Sequence, residues 1–379
     1  MSSSGYANRP ITLNGRFLLQ AVTGVQRVAR EVLHSLDDLA HAGEIPAPQV
    51  LLPARGDVVA APRLKAITLS RVGIHSGHIW EQLDLPKHCT REPLLCLGNT
   101  APLARLYAPN RPTVTMVHDL SYRYFPGAYS RRFRYAYGVL IPQVLRRSEA
   151  VVTVSQAEAT QIARHFPLLH RSGRLSVLQN GGIPDDAAKR AFAEDGPPAS
   201  ERNYGIYVGS LTRRKNASGL LRAAIAFLRA YPDMEFVVIG ANSAAVFEQV
   251  AFPVPLEVAG RLHFRGQIND AEVIYHALRG ARFMLFLSFY EASPLPPVEA
   301  MTYGCPVIAA EIPSLRERCG RAAIYCDPGD HDSVMTAIES VMEKPGYWET
   351  LSEAAKAQAA RYSWVEQTRG LLQLCESVR

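Results

Sequence analysis

Residues 288–310 read SFYEASPLPPVEAMTYGCPVIAA, a pattern that commits this stretch to one supersecondary unit. The apolar run 283–287 ends in a loop, the loop leads into a short helix at Pro296-Pro297, Gly304 stops that helix, and Pro306-Val307-Ile308-Ala309 resumes a buried strand. Strand, loop, helix and strand in that order predict an open α/β sheet, whose ligands sit outside the carboxyl ends of the strands. Two carboxylates flank this loop, Glu291 within it and Glu299 expected in the first helical turn. Carboxylates repel phosphate but accept hydrogen bonds from vicinal sugar hydroxyls, while helix-terminal N–H groups between Ser293 and Val298 could approach phosphates. Together they fit a nucleotide diphosphate sugar. Spacing alone also allows two solvated glutamates around a proline-rich turn.

A second segment, NYGIYVGSLTRRKNASGLLRAAIAFLRAYP at 203–232, narrows the choice. Apolar residues 206–208 predict a strand that breaks at Gly209, and Leu220, Leu221, Ala224, Ile225 and Leu228 recur at helical spacing behind Asn216 as N-cap. Arg213, Arg214 and Lys215 lie between strand and helix, where a diphosphate would need neutralising. The segment is neither a P-loop nor a G-x-G-x-x-G fingerprint, which removes the usual support for ATPase and nicotinamide chemistry.

These two segments belong to an ordered series: TGVQRVAREV (23–32), WEQLDLP (80–86), TMVHDLSYRYFPGAYSRRF (115–133), VVTVSQAEATQI (151–162), QNGGI (179–183), VGSLTRRKN (208–216), FRGQIND (264–270), the Glu-x7-Glu stretch and SLRERCGRAAIYCDP (314–328). The series resembles the retaining nucleotide-sugar glycosyltransferases of the GT4 type. The resemblance implies a GT-B fold: two Rossmann-like doubly wound domains facing an interdomain cleft, with a C-terminal helix crossing back to the N-terminal domain. It implies that Lys215 contacts the diphosphate, that Gly24 and Val25 close over it, that Glu299 binds ribose, and that Glu291 lies near the transferred sugar beside Ser293, Pro294 and Leu295. Gly209 matches the glycine after the strand. Relatives usually place an arginine directly after that glycine; Ser210 stands here, and Arg214 is the favoured substitute. Ala292-Ser293-Pro294 replaces the usual Gly-Phe-Gly, which removes conformational freedom and a donor. The base contact falls on the backbone of Ile268. His118, at the carboxyl end of the strand expected at 113–117, is implied to contact the donor sugar, with Asp119 supporting it.

The chemistry expected from this resemblance is transfer of a hexose, best matched by mannose from GDP-mannose, to a growing glycan or lipid-linked acceptor in surface-polysaccharide or lipopolysaccharide assembly. Retention is implied by the resemblance alone. No cofactor and no metal is expected, since no clustered His, Cys and carboxylate spacing resembles a metal site. A glycoside hydrolase would need one carboxyl protonated, and a helix N-terminus pulls the wrong way. A GT-B nucleotide-sugar epimerase and a non-catalytic nucleotide-sugar-binding protein remain as alternatives.

The chain has 379 residues, 47% hydrophobic and 20% charged, enough for two ordinary domains. The expected division is 1–184 for an acceptor domain, 185–202 for a polar linker, 203–361 for the donor domain and 362–379 for the returning helix. The apolar runs are too short to span a bilayer and the start MSSSGYANRP lacks a signal-peptide core, so a cytoplasmic protein with six free thiols is expected. The net charge of +6 gathers partly around FRYAYGVLIPQVL, a helix candidate flanked by Arg131, Arg132, Arg134, Arg146 and Arg147. No nucleic-acid module accompanies it. The helix is read either as a solvated face or as a peripheral contact with anionic lipid at the inner face of the cell membrane.

Overall fold

A computed structural model describes residues 10–89, 91–193, 196–241 and 254–378. The chain divides into two compact units, one holding the chain up to Gly181 together with the stretch from Ser363, the other Gly182–Tyr362.

The first unit is built on a seven-stranded parallel sheet, β1 (Thr12–Asn14), β2 (Gln49–Pro53), β3 (Leu69–Val72), β4 (Leu94–Cys96), β5 (Thr113–Met116), β6 (Ala150–Thr153) and β7 (Leu175–Val177), in the order β3-β2-β1-β4-β5-β6-β7. Its central strands are buried throughout, as parallel strands covered on both faces must be, and this is why they read as short apolar runs. The principal helices here are α1 (Gly24–His41) and α2 (Arg131–Arg147). The apolar stripe of α1, Val28, Val32, Leu36 and Leu39, is buried, whereas Val25 is only half-buried.

The second unit opens with α3 (Asp185–Ala193) and carries a six-stranded parallel sheet, β8 (Tyr204–Val208), β9 (Glu235–Ile239), β10 (Leu262–Phe264), β11 (Phe283–Phe286), β12 (Val307–Ala310) and β13 (Ala323–Cys326), in the order β10-β9-β8-β11-β12-β13. All four residues of β11 are fully buried, and each such side chain contributes roughly 1.5–3 kcal/mol of burial free energy. Around this sheet lie α4 (Ala217–Ala230), α5 (Leu295–Thr302) and α6 (Pro313–Cys319). The final helix, α7 (Trp364–Ser377), returns to the first unit. There Gln367 Nε2 donates to the Leu178 carbonyl and to Asn180 Oδ1 at 3.1 and 2.9 Å, and Arg369 pairs with Glu44 at 2.8 Å. Gly181 is required beneath it, because a Cβ there would lie 2.5 Å from the Trp364 ring.

Both sheets share the arrangement in which the strand order reverses next to the first strand, between β1 and β4 in one unit and between β8 and β11 in the other. Crevices outside the carboxyl ends of strands at such reversals are where doubly wound folds bind ligands.

Two expectations are corrected. The segment 185–202, read as a linker from its polar and Gly/Pro content, holds α3, whose Ala187 and Ala191 pack into the second unit's core; residues 194 and 195 lie outside the described residues. The amphipathic spacing of those alanines outweighs the local polarity. Glu299 is not in the first turn of its helix: α5 begins at Leu295, and its first turn holds no acidic residue. The start at 1–9, read for a missing leader, also lies outside the described residues. Among the described residues no helix is long and apolar enough to cross a membrane, and all six cysteines are buried and free.

Candidate functional site

In the second unit the loop after β8 is shaped by two glycines. Gly209 has φ +150° and donates its N–H to the Ile239 carbonyl at 2.8 Å; Gly240 has φ +159°, and a Cβ there would fall 1.9 Å from the Gly209 carbonyl oxygen. Only glycine allows these loops so close an approach. The chain then turns through Arg213, Arg214 and Lys215 to Asn216, which takes a left-handed conformation (φ 54°) and caps α4 by accepting from Gly219 N at 3.2 Å.

This basic turn meets the loop after β11. Glu291 Oε2 lies 3.1 Å from Arg214 NH1, Glu291 Oε1 lies 3.1 Å from Lys215 Nζ, and Ser288 Oγ donates to Oε1 at 2.8 Å. Arg214 NH1 also donates to the Tyr290 carbonyl at 2.6 Å, and Lys215 Nζ lies 5.4 Å from the centre of the Phe286 ring. Burial alone would raise the Glu291 pKa; the charges of Lys215 and Arg214 and the bonds from Ser288 and Arg214 outweigh it and hold the carboxyl below its ordinary value. The structure therefore joins residues whose sequence positions are 76 apart, Lys215 and Glu291, into one cluster of two cations and one carboxylate.

The other residues of the Glu-x7-Glu stretch behave differently from one another. Pro294 is the N-cap of α5 and Leu295 its first residue. Because Pro294, Pro296 and Pro297 lack N–H groups, the donors between residues 293 and 298 reduce to Ser293, Leu295 and Val298. The Ser293 hydroxyl is buried without a hydrogen-bond partner among the described residues. Glu299 is fully buried, near enough to the buried Arg318 of α6 for its charge to act there. Burial pulls the Arg318 pKa down to about 10 against the opposing charges of Tyr362, Cys319, Glu317 and Glu299. Ile268, in the loop after β10, packs half-buried on the core. The chain's one Asp-x-Asp, Asp330-His331-Asp332, is a helix cap: Asp330 Oδ1 accepts from Asp332 N at 3.0 Å.

In the first unit, His118 follows β5 and is buried. Its backbone N–H donates to Asn99 Oδ1 at 2.7 Å, and Nε2 lies 2.9 Å from the Leu97 carbonyl. A carbonyl only accepts, so Nε2 carries the proton. Desolvation lowers the His118 pKa despite the Leu97 bond and the Asp119 charge; the imidazole is neutral near pH 7, with its lone pair on Nδ1. Asp119 Oδ1 accepts from Ser121 N and Ser121 Oγ at 2.9 and 2.5 Å, and Ser121 Oγ in turn meets Tyr129 Oη. Gly24 is the exposed first residue of α1, where a Cβ would meet nothing within 4 Å, and the preceding Thr23 forms a capping box with Gln26.

The motif WEQLDLP carries a further cluster whose partners its spacing does not reveal. Glu81 is 1% exposed; Oε1 accepts from Asn14 Nδ2 at 2.7 Å and Arg16 Nε at 3.3 Å, while Oε2 accepts from Thr100 Oγ1 at 2.6 Å and faces His78 Nδ1 at 3.2 Å. Burial would raise its pKa, but Arg16, His78 and Thr100 bring it down to about 2. The i, i+3 spacing of His78 and Glu81 was the sequence signal.

Residues 22–182 match the family described as Glycosyltransferase Family 4, and residues 189–358 match Glycosyl transferases group 1. The chain is 28% identical to O-antigen chain mannosyltransferase B of Escherichia coli over 68% of this chain and 69% of that protein. It is 26% identical to the O-antigen chain mannosyltransferase RfbU of Salmonella typhimurium over 66% of this chain and 65% of that protein. Its fold is shared with WaaG, a glycosyltransferase involved in lipopolysaccharide biosynthesis, at TM-score 0.70 and 16% identity over 97% of this chain and 100% of that one. Sucrose-phosphate synthase from Thermosynechococcus elongatus gives TM-score 0.73 at 18% identity over 97% and 98%. With one family match in each half and both sheets in the same doubly wound order, the chain belongs to the GT4-type glycosyltransferases of GT-B fold.

Proposed function

We propose that this glycosyltransferase moves a hexose with retention of configuration, mannose from GDP-mannose being the favoured donor, to a lipid-linked or growing glycan acceptor in surface-polysaccharide or lipopolysaccharide assembly. The carrying observation is the Arg214–Lys215–Glu291 cluster at the strand reversal of the second unit. Its excess of one positive charge suits a diphosphate, and its carboxylate suits sugar hydroxyls. The two O-antigen mannosyltransferase relatives favour mannose.

In this reading Lys215 and Arg214 stabilise the charge that develops on the departing nucleoside diphosphate, together with Gly24, Val25, Gly209 and the donors of Ser293 and Leu295. Pro294 shapes that loop, Ile268 offers backbone to the base, and Glu299 serves the ribose. His118, supported by Asp119, and Glu291 orient the transferred sugar. An acceptor oxygen bonds to the anomeric carbon as the carbon–oxygen bond to the diphosphate breaks; the electron pair stays with the diphosphate, whose oxygen takes the acceptor proton. Neither glutamate is assigned as a covalent nucleophile, and no metal is assigned to the reaction.

Titration calorimetry with GDP, UDP, ADP and dTDP tests the donor: GDP should bind tightest, and equal binding by all four would remove the GDP assignment. Turnover of GDP-mannose that rises only with acceptor, in EDTA, separates transfer from epimerisation and from a binding-only protein. We also assign α2 to an anionic membrane surface at the cytoplasmic face. Arg131, Arg132 and Arg134 are exposed beside Tyr135 and Val139, which are 78% and 48% exposed, a mixture that suits a lipid headgroup region. Flotation that is the same with neutral and anionic vesicles would remove that assignment.

A further inference from the structure

The cluster at the strand reversal of the first unit has a chemistry of its own. Asn14 ends β1, Thr100 follows β4, and the carboxylate of Glu81 bridges them across the reversal. Glu81 is carried by a turn of π-helix, Trp80–Asp84, a geometry that is rare and concentrates at functional sites. Trp80 anchors this turn, fully buried and donating Nε1–H to the Val72 carbonyl at 2.8 Å.

All four groups around Glu81 are donors, three of them from residues at least nine-tenths buried. The fourth is different. The His78 side chain is 42% exposed, and its Nδ1 faces an ionised carboxylate that has no proton to give, so Nδ1–H donates. In the tautomer that donates from Nδ1 the lone pair lies on Nε2, which has no protein partner among the described residues. Tyr137 stands edge-on to the imidazole at 6.1 Å and continues through Phe133 to Tyr129, ring centres 3.9 and 5.0 Å apart. Tyr129 reaches Ser121 and, through it, Asp119. His78 is thus held in one tautomer, with an outward acceptor nitrogen beside an aromatic wall that ends at the His118-Asp119 pair.

We propose that His78 Nε2 accepts the hydrogen bond of a hydroxyl on the sugar acceptor, with Glu81 as the positioning residue that fixes the ring. This assignment rests on the transferase reading. The site suits an uncharged polyol rather than a phosphate: its one cation, Arg16, is spent on Glu81, and the ring nitrogen it presents accepts rather than donates.

The test uses the full chain saturated with GDP and three probes: octyl α-mannoside, octyl β-galactoside and octyl β-N-acetylglucosaminide. Diethyl pyrocarbonate modifies an accessible Nε2, and peptide mass spectrometry reads each histidine separately. At least one glycoside should slow modification of His78 in proportion to its occupancy while leaving His75 unchanged. His75 is the internal control, since Asp84 holds its Nδ1 at 3.0 Å with the side chain 38% exposed, but it follows the edge strand β3. With the protecting glycoside as acceptor, His78→Ala should raise KM about tenfold, the value of one lost hydrogen bond. His78→Gln, whose amide can accept near the Nε2 position, should recover part of it, and GDP affinity should not change in either variant. Failure of every glycoside to protect His78, or an unaltered KM in His78→Ala, overturns the assignment. Failure of all nucleoside diphosphates to bind the wild-type chain instead overturns the transferase reading beneath it.

Discussion

At the strand reversal of the second unit a carboxylate lies between two cations, Glu291 between Arg214 and Lys215. At the reversal of the first unit, Glu81 meets one cation, Arg16, and completes its shell with an amide, a hydroxyl and an imidazole. The topology is the same, so the difference lies in what the loops carry. An excess of positive charge suits a diphosphate, whereas a neutralised cluster with one outward lone pair suits hydroxyls. The comparison also separates two ways of holding a charge. Glu291 is held by two cations at a loop, side chains that are 23% and 13% exposed, while Glu81 is held chiefly by buried groups, Asn14 at the end of β1 and Arg16 and Thr100 in the segments that follow β1 and β4.

The largest effect that would break this comparison is on stability. Glu81→Gln leaves Arg16 buried without its counter-charge, which costs about 3–5 kcal/mol and should appear as a large fall in the first unit's melting temperature. A melting curve like the wild type's would mean that the buried pair is not structural. The acid limb belongs to the same pair. A carboxyl lowered from 4.5 to about 2 on folding contributes stability that is fully present above pH 4.5 and fades as pH falls towards 2. The difference between wild type and Glu81→Gln should therefore shrink across that window in denaturant titrations.

Next comes Lys215→Ala, which removes a charge-assisted contact worth about 1.5–3 kcal/mol and should weaken nucleoside diphosphate binding by one to two orders of magnitude in calorimetry. The effect should be smaller for the nucleoside; equal losses for both would place Lys215 away from the diphosphate. His118→Ala should leave nucleotide affinity intact and lower kcat about tenfold, the cost of one neutral hydrogen bond. A changed affinity would move His118 from the transferred sugar to the nucleotide. The smallest and sharpest is Glu299→Gln, which keeps shape and packing. If Glu299 takes a ribose diol, nucleotide affinity should fall by about 1 kcal/mol with little change in melting temperature. The reverse pattern would make Glu299 a packing residue paired with Arg318.

Much of the architecture was legible because parallel strands buried on both faces leave unmistakable apolar runs, as at β5, β6 and β11. The expected strands omit β3 and β13: LSRV is a partly exposed edge strand with a charge in it, and AIYC is a four-residue strand too short to show a period. The linker reading failed at α3, where two alanines carry the buried face among four charged neighbours, Asp185, Asp186, Lys189 and Arg190. In the site, Lys215, Glu291 and His118 could be chosen because each lies in the loop that follows a recognisable strand. Their partners could not, since nothing local pairs Glu291 with Lys215 or sets Asn14 and Thr100 around Glu81.

By itself the sequence determined the alternation of strand and helix, hence two doubly wound sheets, and the family through an ordered series of motifs. Each of these depends on neighbours along the chain, where spacing fixes which face a side chain occupies. Only the tertiary structure decided that Glu291 pairs with Arg214 and Lys215, that Glu299 is buried beyond the first turn of its helix, and that Glu81 meets His78. Those outcomes depend on burial and on the summed charge of groups brought together from distant strands. Neither quantity is a property of any local stretch of chain.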